Sequence, residues 1–97
     1  MKWQQAINDY QYYLKIERGL SENSIDNYTL DIEKLYLFLE NSSITTSPIK
    51  IDKDIVQQFI YTLAKEVNPR SQARIISGLK SFFNYLVFED YRKDNPL

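Results

Sequence analysis

A predicted helix near the C-terminal end carries basic and hydroxyl side chains in register, within the stretch NPRSQARIISGLKSFFNYLVFE of residues 68–89. At about 100° per residue, five polar residues of this helix share a strip roughly 80° wide: Arg70, Arg74, Ser77, Ser81 and Asn84. Lys80 lies on the flank of the strip, and no acidic residue occurs between positions 68 and 88. The helix is therefore locally basic.

The two arginines are poorly placed for stability alone, which points to an anionic ligand. Arg70 and Arg74 lie one turn apart and repel each other by a few tenths of a kcal/mol. They also lie near the positive end of the helix dipole, where cations are disfavoured. A phosphate would make both effects favourable, because free N–H groups and the dipole at a helix N-terminus bind anions.

An earlier helix has a weaker version of the same face. Asn23, Asn27 and Lys34 share its solvent side, and amide groups can bind phosphates or base edges. Three acidic residues lie near this face and would oppose DNA unless they point away from it: Asp26, Asp31 and Glu33. A helix face with arginines is also an ordinary solvated surface, and the pattern alone leaves both interpretations open.

Composition excludes several kinds of chemistry. The chain of 97 residues has a formal net charge of −1 and a pI near 5.3, so it lacks the overall basic charge typical of nucleic-acid-binding proteins. It contains no cysteine and no histidine, which excludes disulfides, Cys/His zinc sites, a histidine base and a cysteine nucleophile. We expect no cofactor and no metal. We also expect no contact with a membrane, because no apolar run approaches the roughly 20 residues that are needed to span one.

Apolar residues recur at helical spacing in four segments, and no segment alternates with the period of a strand. The four stripes are Trp3, Ala6, Ile7, Tyr10, Tyr13 and Leu14; Ile25, Tyr28, Ile32, Leu35, Tyr36 and Leu39; Ile55, Val56, Phe59, Ile60 and Leu63; and Ile75, Ile76, Leu79, Phe82, Phe83 and Leu86. The Ser/Thr-rich residues 41–50 read as a loop. The stripes predict an all-α domain with one core, in which the tyrosines pack rather than react.

Polar residues and glycine mark the predicted helix ends. Ser21, Asp52 and Asn68 precede the second, third and fourth stripes and can cap those helices. Pro69 fits the first helical position, where its missing N–H is no loss. Gly19 supplies the residue that can take a positive φ just beyond the first helix.

Two segments resemble the N-terminal domain of Xer-type tyrosine recombinases. The segment YLKIERGLSENSIDNYTLDIEKLYLFLE, residues 13–40, is similar to the ERGLS-x-N-[ST]-[IL]-x-x-Y-x-x-D-[IL] run of that family. The segment RSQARIISGLKSFFNYLVFEDYRKDNPL, residues 70–97, is similar to its R-[ST]-x-A-R-x-[IL]-S-x-[IL]-[KR]-x-[FL]-[FY]-x-[YF]-L pattern and closing Asn-Pro. Order and spacing match over about residues 3 to 97.

The resemblance implies an all-α, four-helix orthogonal bundle of the SAM-like type, the core-binding domain of these recombinases. It implies a DNA-binding domain over residues 1–91 and, over residues 92–97, the start of a linker to a C-terminal catalytic domain that lies outside this chain. The tail EDYRKDNPL agrees with a linker, because it loses the apolar period and the residue before a proline disfavours helix.

The function implied by the resemblance is that of the DNA-binding module of a site-specific recombinase, which clamps duplex DNA with its second and fourth helices. The DNA-contacting residues carried over by motif are Arg70, Ser71, Arg74, Ser77 and Lys80 on the fourth helix, and Ser24, Asn27 and Lys34 on the second. The nucleophilic tyrosine of the family belongs to the C-terminal domain, so this chain should hold no catalytic residue.

Three partners are implied: double-stranded DNA, the chain's own catalytic domain, and partner recombinase protomers on DNA. The implied location is the bacterial cytoplasm, at the nucleoid, and the process is DNA integration or the resolution of chromosome dimers. A helical protein–protein adaptor with no DNA role is the alternative. Such an adaptor would bind its partner through an exposed apolar patch.

Overall fold

The computed structural model describes all 97 residues and is all-α. It contains four helices and no strand: α1 (Trp3–Ile16), α2 (Glu22–Asn41), α3 (Lys53–Glu66) and α4 (Pro69–Phe88). The predicted helix order and fold class are confirmed. The chain divides into two compact units, Met1–Pro48 and Ile49–Leu97, so each unit holds one pair of helices that are consecutive in sequence.

In the first unit, α1 buries the stripe predicted for it, with Trp3, Ala6, Ile7, Tyr10 and Leu14 in the core. The Trp3 indole Nε1 donates a hydrogen bond to the Thr46 carbonyl oxygen at 2.9 Å, which ties the start of α1 to the loop after α2. After α1, Gly19 has a φ of 62°, and no atom within 4 Å would meet a Cβ there. The backbone conformation, rather than lack of space, therefore favours glycine.

Helix α2 begins at a serine cap, as predicted, because the Ser21 Oγ accepts from the Ser24 backbone N–H at 3.3 Å. Its core residues include Ile25, Ile32, Leu35 and Leu39. Thr29 is buried as well: its hydroxyl donates to the Ile25 carbonyl oxygen at 2.8 Å and accepts from the α1 residue Gln11 at 3.0 Å. A polar contact thus joins α1 to α2 inside this unit.

In the second unit, both helices have the predicted caps. The Asp52 carboxylate accepts from the Ile55 N–H at 3.0 Å, and the Asn68 carboxamide oxygen accepts from the Ser71 N–H at 2.8 Å. The core residues are Val56, Phe59 and Leu63 of α3 and Ile75, Gly78, Leu79, Phe82, Phe83, Tyr85 and Leu86 of α4. Gln72 of α4 donates to the Ile60 carbonyl oxygen of α3 at 3.3 Å.

The residues after α4 fold back onto that helix. Asp90 has a φ of 61°, and the Tyr91 N–H donates to the Leu86 carbonyl oxygen at 2.9 Å, which reverses the chain. The side chain of Arg92 is 6% exposed and its guanidinium carbon lies 5.3 Å from the centre of the Phe83 ring. Arg92, in the segment 92–97 that was predicted to begin a linker, therefore packs against α4.

None of the four helices has the length and apolar character needed to cross a membrane.

Replacing Asn68 by alanine should reduce the free energy of unfolding by about 1 kcal/mol, because the Ser71 N–H loses its side-chain acceptor. Urea denaturation followed by circular dichroism at 222 nm measures this. The matched control is Asn68→Ser, which keeps an acceptor oxygen and should retain most of the stability. Equal losses in the two variants would contradict a capping role for the Asn68 side chain.

Candidate nucleic-acid interface

The predicted polar strip of α4 lies on its solvent side. Arg70, Arg74, Ser77, Lys80 and Asn84 are exposed, while Ser71 and Ser81 are half-buried. On the opposite side of the helix, Leu79 is completely buried. The apolar stripe therefore sets the rotation of α4 about its axis, and that rotation presents the basic residues together on one face, here called the α4 basic face: Arg70, Ser71, Arg74, Ser77 and Lys80.

The first turn of α4 has few backbone donors left for an anion. Pro69 has no N–H, the Ser71 N–H is bonded to the Asn68 side chain at 2.8 Å, and the Gln72 N–H is bonded to the Asn68 carbonyl oxygen at 3.0 Å. Fewer free N–H groups than expected are therefore left in this turn to help bind a phosphate. An anion at this end of α4 must be held mainly by the guanidinium groups.

On α2, the three predicted residues have different surroundings. Asn27 and Lys34 are exposed, and seven residues of helix place them within about 20° of each other. Ser24 is half-buried, and its Oγ accepts from the Ser21 hydroxyl at 3.2 Å. Ser24 therefore takes part in the cap of α2, and only its own O–H remains available as a donor.

The acidic residues of α2 do not all act against an anion. Asp31 is completely buried, so its carboxylate is not presented to solvent. Asp26 and Glu33 are exposed. Two leucines also lie on the solvent side, Leu30 with 53% and Leu37 with 54% of its surface exposed. The α2 face is therefore mixed in character, whereas the α4 basic face carries only positive charge.

One contact of the α4 strip was not predicted from the sequence. The Asn95 side-chain amide donates to the Lys80 carbonyl oxygen at 3.1 Å and to the Asn84 carboxamide oxygen at 2.8 Å. The tail therefore reaches the C-terminal part of the polar strip. The Asn-Pro pair at residues 95 and 96 signalled only the absence of helix, because a local pattern does not show which distant group an amide will bond.

No group of three or more His, Cys, Asp or Glu side chains in the chain could hold a metal ion.

Comparison with known proteins finds one matching family model and several similar proteins. The family model described as "Phage integrase, N-terminal SAM-like domain" matches residues 7–90. The chain is 33% identical over 92 residues to the protein named tyrosine recombinase XerD of Listeria innocua, a match that covers 94% of this chain and 31% of that protein. It is 38% identical over 85 residues to tyrosine recombinase XerC of Leptospira interrogans, covering 87% of this chain and 27% of that protein.

The chain therefore spans about a third of the length of the curated relatives it matches, 31% and 27% in these two cases. No solved structure is a significant match to the chain.

Of the four tyrosines on or beside the first two apolar stripes, three pack as predicted. Tyr10 is in the core, and Tyr13 and Tyr28 are half-buried with ring centres 6.2 and 6.5 Å from that of Tyr10. Tyr36 is 39% exposed, more than its place in the stripe predicts. Its pKa is raised above the ordinary value of 10.0 because its hydroxyl is hydrogen-bonded to the Glu40 carboxylate, whose charge also disfavours the phenolate. This environment favours the protonated phenol of Tyr36.

Replacing Glu40 by glutamine should lower the pKa of Tyr36 towards 10.0, because the negative charge beside the phenol is removed. The measurement is an NMR titration of ¹³Cζ-labelled tyrosine through the alkaline range in which tyrosines ionise. Glu22→Gln, at the far end of the same helix, is the control and should leave the titration of Tyr36 unchanged. A Tyr36 pKa that stays equally high without Glu40 would contradict the assigned cause.

Proposed function

The chain belongs to the phage integrase N-terminal SAM-like domain family, and from this membership we propose that it is the DNA-binding N-terminal module of a site-specific tyrosine recombinase. The observation that supports this most directly is the α4 basic face, which gathers exposed cations on one helix of a chain whose net charge is −1. The relatives are named tyrosine recombinases. In this proposal, DNA strand cleavage is carried out by a catalytic domain in the remaining two thirds of a longer protein. That protein would act in DNA integration or in the resolution of chromosome dimers.

On α4, the proposed contacts are electrostatic first. Arg70, Arg74 and Lys80 each neutralise a phosphate and release the counterions condensed on the duplex, which makes the affinity dependent on salt. Guanidinium groups can bind phosphate oxygens with two parallel hydrogen bonds. Ser71 and Ser77 have short side chains, so α4 can approach the major groove closely and the hydroxyls can donate to phosphates or base edges.

On α2, the proposed contacts are fewer and mainly position the duplex. Lys34 supplies one cation, and the Asn27 carboxamide can donate to a phosphate or read a base edge. Ser24 contributes its remaining O–H. Together with the α4 basic face, these residues form the proposed clamp on double-stranded DNA, and tethering to a catalytic domain and to partner protomers raises the effective concentration of a module that binds weakly alone.

A protein–protein adaptor remains the second candidate because of one feature of α2. Leu30 and Leu37 are seven residues apart on the helix and more than half exposed, as expected of an apolar contact surface. Under this hypothesis the arginines of α4 bind no DNA. Binding of duplex DNA at low salt distinguishes the two hypotheses, because an adaptor without a DNA role would not bind.

The Arg70→Ala/Arg74→Ala double variant should bind duplex DNA at least about tenfold more weakly than wild type at low salt. Its slope of log affinity against log salt should be shallower by about 2, because two phosphate contacts are lost. Fluorescence anisotropy with a labelled duplex at several salt concentrations measures both quantities. The double variant Lys15→Ala/Lys53→Ala, which removes the same charge from α1 and the start of α3, should lose much less affinity.

Two outcomes would oppose the proposal. If the arginine variant and the lysine control lose affinity equally, the attraction is general and does not come from the α4 basic face. If wild-type protein shows no salt-dependent binding at all, the DNA role itself is wrong and the adaptor hypothesis is favoured.

A further inference from the structure

The orientation of the Asn95 side chain is determined by two backbone groups. Its Oδ1 accepts from the Leu97 N–H at 3.0 Å, and its Nδ2 donates to the Lys80 carbonyl oxygen at 3.1 Å. A backbone N–H can only donate and a backbone carbonyl can only accept. The opposite orientation of this amide would lose both bonds, so the atom of Asn95 that faces α4 is the donor nitrogen.

This donor in turn determines the orientation of Asn84. The Asn95 Nδ2 lies 2.8 Å from the Asn84 side chain, and the group that it meets there must be an acceptor. The Asn84 Oδ1 therefore faces Asn95, and the Asn84 NH₂ group is directed away from it. Asn84 is exposed, so the group that it presents to a ligand is a hydrogen-bond donor.

The position of Asn84 places this donor on the same polar face of α4 as the arginines, at the opposite edge of the strip from Arg74. Asn84 lies fourteen residues after Arg70 and ten after Arg74 in the same polar strip. At 1.5 Å per residue, about 15 Å of helix separates it from Arg74. The major groove of B-DNA is about 12 Å wide. A helix that lies across this groove can therefore reach a phosphate on one side with Arg74 and one on the other side with Asn84.

We propose that Asn84 is a further DNA-binding residue, whose NH₂ group donates to a phosphate oxygen across the groove from Arg74, and that Asn95 is the positioning residue that holds it in that orientation. This inference rests on the proposed DNA role of α4. An amide held with its oxygen outwards would repel a phosphate, whereas an outward NH₂ gives a charge-assisted hydrogen bond. Because the orientation exists before binding, less side-chain freedom is lost when the contact forms.

The tail that carries Asn95 is itself ordered. Pro96 is buried, Arg92 packs over the Phe83 ring at 5.3 Å, and the Arg92 guanidinium lies 3.3 Å from the Asp94 carboxylate. These contacts keep Asn95 beside α4. The residues of the predicted linker thereby become part of the DNA-binding surface.

A double-mutant cycle on the full chain tests the proposal, with duplex affinity measured by fluorescence anisotropy. Asn84→Ala should weaken binding about tenfold, the cost of one hydrogen bond to a charged group. Asn95→Ala should weaken it less, about threefold, because Asn84 remains but rotates freely. In the Asn84→Ala background, removal of Asn95 should have no further effect on affinity. Asn8→Ala, an exposed asparagine of α1, is the control and should bind like wild type.

Two further variants keep the test decisive. Asn84→Asp retains an acceptor for Asn95 but presents a negative oxygen to the duplex, so it should bind more weakly than Asn84→Ala. Asn95→Asp retains an acceptor for the Leu97 N–H but cannot donate, so it should resemble Asn95→Ala in affinity even if removal of the whole amide loosens the tail. Circular dichroism at 222 nm and thermal unfolding establish that each variant is folded.

Each way of failing has its own signature. If the arginine variant loses affinity while Asn84→Ala binds within twofold of wild type, the Asn84 contact is wrong and the DNA role of α4 stands. If Asn95→Ala weakens binding equally with and without Asn84, Asn95 acts through the fold and the positioning role is overturned. If wild-type protein does not bind duplex DNA, the proposed function fails first, and this contact fails with it.

Discussion

The burial of one side of α4 is the constraint on which the rest of this surface depends. Leu79, Phe82, Phe83 and Leu86 are completely buried, and a helix that rotated by one residue, about 100°, would bring polar side chains into their place. Buried polar groups without partners cost several kcal/mol, so the rotation is effectively set. Once it is set, residues three, four and seven positions apart must appear together in solvent, and the arginines are exposed in a row for that reason.

The N-terminus of α4 shows how a stabilising contact limits a functional one. Asn68 caps the Ser71 N–H, which offsets part of the cost of placing Arg70 and Arg74 near the positive end of the dipole. The same cap removes a donor that an anion could have used. The helix therefore begins with guanidinium groups as its main means of attracting an anion. These reach farther from the helix axis than backbone amides and can follow a curved chain of phosphates.

Local signals in the sequence were sufficient for the helices and their caps, because a cap involves residues three apart and a stripe involves residues within one or two turns. Ser21, Asp52 and Asn68 all accept the predicted bonds. The burial of Asp31 was not predictable in this way, since carboxylates are almost never fully buried unless they are paired, and an apolar stripe does not show such a pairing. The same holds for Asn95, whose contacts join residues 11 and 15 positions apart. For the candidate site, the exposure of the α4 residues could be predicted from the helical period of the apolar stripe. The orientation of the Asn84 amide could not, because it depends on Asn95 in the tail.

The net charge of −1 conceals this surface because electrostatic interactions between exposed groups are local. At physiological ionic strength the screening length is about 8 Å, little more than one turn of helix. Arg70 and Arg74 lie one turn apart on α4, within that distance of each other, and the helix itself carries no acidic residue between positions 68 and 88. On α2, by contrast, the exposed Lys34 directly follows the exposed Glu33, so the acidic neighbour offsets part of the positive field of the lysine. In the proposed DNA complex, α4 therefore supplies most of the electrostatic attraction to the phosphates, and α2 mainly positions the duplex. Under the proposed function, a module with so few exposed cations on its binding face would bind weakly alone, and a tethered catalytic domain would keep it near the duplex.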